Sequence, residues 1–290
     1  MKRLRFVGVL LALGCSMHLS AAGQEPMRFF KGGELQKLEL TRAIDDESKR
    51  QAIANLPRRK SDFAYPIWTV PTMANAQGQF GAFFKTRLAM FNPTTFSFVV
   101  AARLFNQNGL ADTRQIDLPA NSYKVWDDFL GTAFGYTGAG GVEFDSWLIP
   151  VGGSENFDFF LTAEVYVDSP NGRYKTTVLN GIQPQTLTGL RRATSIGLNV
   201  NANERTNLGV LNDAAVTANV TAEVYNSSGQ LVETLTFTIP PKGWAQQPVT
   251  ANITDGRVEW KTDNMIYAWS LGVDNRSNDG TLNYPTYYVP

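Results

Sequence analysis

Carboxylates and aromatic rings are the side chains of this sequence that could act on another molecule. The 290-residue chain contains one cysteine and one histidine, Cys15 and His18, and both lie close to its N-terminus. If the segment that holds them is removed, neither a Ser-His-Asp triad nor a cysteine nucleophile can be assembled. Zinc, copper and non-haem iron sites almost always use one of these two ligand types, so the sequence argues against them as well.

A pair of carboxylates is the catalytic chemistry that needs neither residue type. Glycoside hydrolysis uses two Asp or Glu side chains about 5–9 Å apart. The spacing along the chain does not bring any two candidates into one cleft, so a carboxylate-based glycoside hydrolase is the least favoured function. The candidates are Asp127, Asp128, Glu143, Asp145 and Glu259.

Calcium is a second chemistry, because the segment from Asp274 to Gly280 is rich in oxygen ligands. Asp274, Asn278 and Asp279 are the candidate ligands, but their spacing departs from the EF-hand pattern and no bidentate glutamate follows. Asp and Asn in such loops usually form turns with their own backbone. We therefore predict no metal site and no cofactor, with calcium as the weak alternative.

Aromatic side chains offer a third chemistry, the stacking of rings on a glycan. Trp126 and Trp147 flank a Gly- and aromatic-rich segment at 127–141, which contains Phe129 and Tyr136. Loops longer than their structural minimum are common binding sites. These four residues are the predicted binding residues, and the alternative is that the rings of 127–141 pack over an open end of their own domain.

The 127–141 segment is distinctive because most of the remaining chain occurs twice. Residues 85–109 and 205–229 align without a gap at an offset of 120. A repeat of this length indicates two copies of one folding unit. Residues that occupy matching positions in both copies are better explained by the shared fold than by a single active site. The matching pairs are Tyr123/Trp244, Glu143/Glu259, Phe144/Trp260 and Asp168/Asp274.

The repeated segments show the period-2 alternation of antiparallel strands. Strands are predicted from Phe83 to Leu179 in the first copy and from Ser195 to Val289 in the second. Short strands with turns about ten residues apart are typical of a β-sandwich. The sequence predicts an all-β protein of two tandem Ig-like antiparallel β-sandwiches, at 65–182 and 186–290.

The N-terminal residues 1–22 have the features of a secretory signal peptide. Lys2 and Arg3 precede an apolar run, and Ser20-Ala21-Ala22 supplies the small residues of a cleavage site. Lipidation of Cys15 is the less favoured alternative, because the residues before it depart from a lipobox. Cleavage after Ala22 would remove both Cys15 and His18, and the chain would then have no disulfides.

Residues 23–64 differ from the rest in their dense mixed charges. Glu39 and Arg42, like Glu47 and Arg50, are three residues apart and would be close on a helix surface. We predict a short, charged helical segment before the first sandwich.

The segments KTRLAMFNP, RTNLGVLN, GRVEW and YAWSLGVDNRSNDGT together resemble a tandem module of exported bacterial proteins, of a type found in acidobacterial genomes. The resemblance covers about residues 65–290. It implies an Ig-like β-sandwich for each copy, and it carries over no activity, ligand or functional residue.

The balance of basic and acidic residues restricts the classes of partner that we expect. The chain has 26 basic and 26 acidic residues, so it lacks the basic excess expected of a nucleic-acid-binding protein. We expect a non-catalytic structural or interaction protein in the periplasm, at the cell surface or in the medium, with an envelope or extracellular protein or a glycan as its partner. Glycan binding near 127–141 is the alternative, and it requires Trp68, Trp126 and Trp147 to expose their rings.

Overall fold

The computed structural model describes residues 67–95, 97–147, 159–169, 172–180 and 192–288. All of them belong to one compact unit, Gln36–Pro290. The signal peptide and helix predicted at 1–22 and 23–64 lie outside the described residues, and so does Cys15. No helix in the described ranges is long and apolar enough to cross a membrane.

The protein is mostly β, with antiparallel sheets throughout, as the sequence predicted. In the first repeat, strands form where apolar residues alternate with polar ones, and one eight-stranded sheet results. Its order is β4-β3-β6-β1-β2-β7-β8, and β5 pairs with β2. The strands are β1 (Ile67–Gln77), β2 (Phe83–Phe91), β3 (Phe98–Asn106), β4 (Gly109–Leu118), β5 (Tyr123–Trp126), β6 (Gly138–Trp147), β7 (Phe160–Ser169) and β8 (Gly172–Asn180).

The second repeat forms two sheets, one of four strands and one of five. The four-stranded sheet has the order β13-β10-β15-β16, and the five-stranded sheet has the order β12-β11-β14-β9-β17. The strands are β9 (Arg192–Val200), β10 (Glu204–Asn212), β11 (Ala218–Tyr225), β12 (Leu231–Ile239), β13 (Trp244–Pro248), β14 (Ile253–Thr262), β15 (Ile266–Asp274), β16 (Gly280–Asn283) and β17 (Thr286–Tyr288).

Strand pairing is the same in the two copies. β2 pairs with β5 and β7, and its counterpart β10 pairs with β13 and β15. Likewise β3 pairs with β4 and β6, as β11 pairs with β12 and β14. The duplicated sequence therefore produces a duplicated set of strand pairs.

The copies differ at β1, which pairs with β6 from Ile67 to Asn75 and with β2 from Asn75 to Gln77. The pairing with β6 has an irregularity between Val70 and Met73, and Pro71 lies within it. A bulge is one of the few places where a strand tolerates proline. Because β1 joins both groups of strands, the first repeat forms a single sheet, whereas among the described strands β9 pairs with β14 and β17 alone.

A buried asparagine fixes the same corner in both repeats. Asn92 follows β2 and donates its amide to the carbonyl oxygen of Pro119 at 2.9 Å and to the preceding carbonyl at 3.1 Å. Asn212 ends β10 and donates to the carbonyl of Pro240 at 2.9 Å and to the one before it at 3.1 Å. Both asparagines are fully buried, and each amide has carbonyl partners at the equivalent corner of its repeat.

Each repeat has its own hydrophobic core. In the second repeat, Leu208 and Val210 of the four-stranded sheet pack in one cluster with Val220 and Ala222 of the five-stranded sheet. The core therefore lies between the two sheets. The equivalent aromatic residues Phe144 and Trp260 are both buried in these cores, as expected for residues that serve the fold.

Candidate functional site

The segment predicted as a binding loop packs largely into the core. Leu130–Phe134 forms a π-helical turn after β5, and β6 already begins at Gly138, inside the range predicted as loop. The rings of Trp126 and Phe129 are buried, with centroids 5.1 Å apart in an edge-on contact. These two rings therefore present no face to a ligand.

The other predicted binding residues differ in position. Tyr136 is half-buried against the same core, and its backbone carbonyl accepts a hydrogen bond from the Asn75 amide at 2.8 Å. Trp68 is also partly buried against this core. The backbone of Trp147 ends β6, but its side chain lies outside the described residues. An exposed platform of Trp68, Trp126 and Trp147 is therefore not formed, because Trp126 is buried.

The candidate carboxylates make structural contacts. Buried Glu143 accepts a hydrogen bond from Arg103 at 3.1 Å and lies 3.6 Å from Lys242. Asp128 accepts the backbone N–H of Gly131 at 2.9 Å and so begins the π-helical turn. Asp127 and Asp145 lie within ion-pair distance of basic side chains, Arg87 at 3.4 Å and Arg103 at 3.6 Å respectively.

Glu259 lies directly opposite Glu223 across the β11–β14 pair. Like charges in this position are destabilising unless cations neutralise them. Arg257 donates to Glu259 at 3.2 Å, and Lys261 donates to Glu223. These contacts form an ion-pair network on the face of a sheet.

The calcium candidates are bonded within their own turn and to one arginine. Asp274 accepts the N–H groups of Arg276 and Ser277 at 2.8 and 2.7 Å, and these bonds hold the pKa of its carboxyl below the usual value. Asp279 accepts the N–H of Gly280 at 3.1 Å. Within the described part of the chain, no three His, Cys, Asp or Glu residues are grouped to hold a metal ion.

The two repeats meet at a buried interface that the sequence analysis did not identify. The indole N–H of Trp244 donates to the carbonyl oxygen of Pro71 at 2.9 Å, and the Tyr267 hydroxyl lies 3.4 Å from the hydroxyl oxygen of Thr69. Lys242 bonds to Asp213 in its own repeat and lies close to Glu143 in the other. The contacts join β13 and β15 of the second repeat to β1 and β6 of the first.

Packing at this interface is close. Phe105 of the first repeat forms one apolar cluster with Leu211, Tyr267 and Trp269 of the second. A Cβ atom at Gly141 would lie 3.1 Å from Leu211 Cδ2 and equally near the Pro71 carbonyl. Glycine at this position therefore permits the approach of the second repeat.

The residues with which the second repeat binds the first have exact register counterparts in the first repeat. Leu211 pairs with Trp244 and with Tyr267. At the equivalent positions, Phe91 pairs with Tyr123 and with Phe160. We call these three residues, Phe91, Tyr123 and Phe160, the outer patch.

The outer patch is uncovered. Tyr123 is 45% exposed and Phe160 is 57% exposed. The Phe91 and Phe160 rings stack with centroids 6.4 Å apart and planes 19° apart. The same strand positions are therefore buried between repeats in one copy and open to solvent in the other.

The second repeat differs from the first at the strand position equivalent to Gly141. Arg257 pairs with Tyr225 as Gly141 pairs with Phe105, so an arginine occupies the position where the first repeat has glycine. Arg257 lies over the Tyr225 ring, 4.2 Å from its centroid. The first repeat therefore has glycine, and the second repeat arginine, at the strand position that lies against Leu211 in the first repeat.

Beside the interface, a cleft of about 420 Å³ lies between the two repeats. Its walls come from β1, the following turn and β7 of the first repeat, and from β10, β13, β15 and β16 of the second. Apolar side chains, including Leu271, Val273 and Leu282, form much of its lining. Among the described residues that line it, Arg205 is the one charged side chain.

Arg205 faces the cleft because Thr206 and Leu208, which alternate with it on β10, are buried in the repeat's own core. Its terminal nitrogens donate to the amide oxygens of Asn275 and Asn278 at 2.8 and 2.7 Å. Burial lowers the pKa of the Arg205 guanidinium, and the charge of Asp274 opposes this effect. No carboxylate among the described residues forms an ion pair with Arg205.

Phe80 lies next to the Arg205 guanidinium. Phe80 occupies the short 3₁₀ turn Gln79–Gly81, has a φ of 55° and is 70% exposed. A bulky residue in the left-handed region is uncommon and strained. The Arg205 guanidinium carbon lies 5.7 Å from the centroid of its ring, so the exposed ring and the cation are adjacent.

Sequence reasoning missed both the interface and the cleft, because a duplicated sequence does not indicate which faces of the copies meet. One signal was present: Gly141 and Arg257 differ at otherwise equivalent strand positions. No protein-family model matches the chain, and no curated protein matches it. The function of the protein must therefore be inferred from its own residues and their contacts.

Proposed function

We propose that this protein is a non-catalytic, exported structural or interaction protein built of two Ig-like β-sandwich repeats. Two observations support the sandwiches: the strand pairing is shared by the copies, and each core collects side chains from opposed groups of strands. Stable sheets of this type present a constant surface to a partner.

Export is supported by the N-terminal segment. Its basic residues, apolar run and Ser20-Ala21-Ala22 site have the order of a secretory signal. The proposal predicts a mature chain that begins at Gly23, which mass spectrometry of the purified protein measures. A chain that begins at a lipidated Cys15 would show that the protein is a lipoprotein instead. An intact Met1 in cell fractions would contradict export.

The interaction role depends on the outer patch. Its three residues are the register counterparts of the set that binds the first repeat, yet Tyr123 and Phe160 are exposed and Phe91 is half-buried. Adjacent exposed aromatic rings on a sheet face indicate a protein contact. The outer patch is therefore the surface on which the first repeat binds a partner.

The character of the outer patch favours a protein as that partner. Its counterpart in the second repeat binds a protein backbone, since Trp244 donates to the carbonyl of Pro71. Tyr123 has a hydroxyl at the position of the Trp244 indole, and this group can donate to a partner carbonyl in the same way. Phe91 and Phe160 supply the apolar area beside it.

Site-specific photo-crosslinking tests the proposal. A benzophenone amino acid replaces Tyr123 in the full chain, expressed in a cell that exports it, and the matched control carries the same group at Leu231, which is 52% exposed on β12. We expect a discrete adduct from position 123 after irradiation and none from position 231. Adducts of equal yield from both positions, or from neither, would contradict the role of the outer patch.

A further inference from the structure

We propose that the cleft between the repeats is a binding site for a small organic carboxylate, with Arg205 as the residue that binds the carboxylate group. The inference is independent of the outer patch, which lies on another face of the sheets. It goes beyond the proposed interaction role, because it assigns a ligand class to the protein.

The charge of the cleft comes from Arg205. Arg205 is half-buried and is the one charged side chain among the described lining residues. Its two side-chain hydrogen bonds go to the neutral amide oxygens of Asn275 and Asn278, which orient the guanidinium and leave its charge in place. A half-buried cation without a carboxylate partner favours an anion in the space beside it.

Hydrogen-bond donors for a carboxylate come from Arg205 and from two side-chain amides. An arginine has five N–H groups, and two of them are used by the asparagines. Asn207 and Gln246 also line the cleft, and their side-chain amides have no hydrogen-bond partner in the described part of the chain. The remaining guanidinium N–H groups and these two amides can bind both oxygens of a carboxylate.

The size and the lining of the cleft suit a small organic molecule. A volume of about 420 Å³ lies within the range of small-molecule sites. Leu271, Val273 and Leu282 can cover an apolar body, and the exposed Phe80 ring lies beside the guanidinium. One cation with neutral amides suits the single charge of a carboxylate better than the double charge of a phosphate.

The test compares ligands on the full mature chain. Binding of 3-phenylpropanoate, hexanoate, their neutral amides and inorganic phosphate is measured by NMR titration at millimolar concentration. We expect saturable shifts with the two carboxylates, centred on residues of β10 and β15, and binding by the amides and phosphate that is at least about tenfold weaker. Equal affinity for the acids and amides, or no binding by either carboxylate, would overturn the proposal.

Variants localise the site. Arg205→Gln should weaken carboxylate binding about tenfold or more, because the charged donor is lost. The matched control is Lys85→Gln, at the equivalent position of the first repeat, which should leave affinity unchanged. Phe80→Ala removes an exposed ring, is expected to fold, and should also weaken binding. Unchanged affinity in a folded Arg205→Gln protein, or in Phe80→Ala if the first does not fold, would contradict the site.

Discussion

The indole N–H of Trp244 donates to the carbonyl oxygen of Pro71 at 2.9 Å, and this bond crosses from the second repeat to the first. Tyr123 occupies the equivalent position in the first repeat and is 45% exposed. The same strand position therefore joins the two repeats in the second copy and is exposed to solvent in the first. Substitutions at Trp244 and in the outer patch separate these two roles.

Trp244→Phe tests the bond itself. The substitution keeps a ring in the interface but removes the donor, which leaves the Pro71 carbonyl without its partner. We expect a loss of about 1 kcal/mol in the free energy of unfolding, measured in urea. Tyr123→Phe is the matched control and should change stability by less than about 0.5 kcal/mol. A loss in Trp244→Phe no larger than in the control would refute the contribution of this bond.

Gly141→Ala tests the close approach of the repeats. The new Cβ would lie 3.1 Å from both Leu211 and the Pro71 carbonyl, so a neighbour must move. We expect a loss of about 1–3 kcal/mol in stability, as for other overpacked sites. Gly272→Ala is the control, since its Cβ would meet no atom closer than 4.0 Å. Thermal unfolding of both variants gives the comparison, and equal effects would count against a tight interface.

Asn92→Ala and Asn212→Ala test the duplicated corner. Each change removes a fully buried amide that donates to at least two backbone carbonyls, so we expect each to cost about 2 kcal/mol or more. Asn108→Ala, at an exposed hairpin position, should stay within about 0.5 kcal/mol of the parent. The structural equivalence of the repeats predicts similar losses at 92 and 212. A loss at one position alone would show that the corners differ.

Stability should fall in acid in part because of Asp263 and Asp274. Hydrogen bonds from the backbone and side chain of Asn219 hold the pKa of Asp263 below its usual value, and N–H groups of Ser277 and Arg276 do the same for Asp274. A lowered carboxyl pKa adds stability above the unfolded value of about 4. This contribution is lost as the pH falls through the folded pKa.

Asp263→Asn measures this contribution directly. Its free energy of unfolding should depend less on pH between about 5 and 2 than that of the parent, because one carboxylate no longer titrates. Urea titrations at several pH values give the slope. A variant with the parent's slope would show that Asp263 is not linked to folding.

The fold was predictable where the physical signal is local. The repeat and the alternation of apolar residues predicted an all-β chain, and β2 begins at Phe83, where the predicted strands of the first copy begin. β1 is absent from the predicted strands because Pro71 interrupts its pattern, and proline is accepted there at an irregularity in the pairing of β1 with β6. A single-sequence pattern does not contain that tertiary context.

The predicted binding loop shows a second limit. Gly138-Ala139-Gly140-Gly141 has the composition of a loop but begins β6. Glycine is needed there for contact reasons, since a Cβ at Gly140 would lie 2.4 Å from the Phe105 carbonyl oxygen. The sequence predicts Trp126 as a binding residue because it has no aromatic counterpart in the second repeat, and Phe129 because it lies in the 127–141 segment. Both rings instead fill the core of the first repeat.

We expect the outer patch to bind a protein partner, and the recovery of that partner tests this expectation. Phe160→Lys places a charge in the patch, and Leu231→Lys places the same charge at a similarly exposed position outside it. The photo-crosslinked partner from position 123 is quantified by mass spectrometry in the parent and in each variant. We predict at least a tenfold loss for Phe160→Lys and recovery at the parent level for Leu231→Lys. Equal recovery in both variants would contradict the claim.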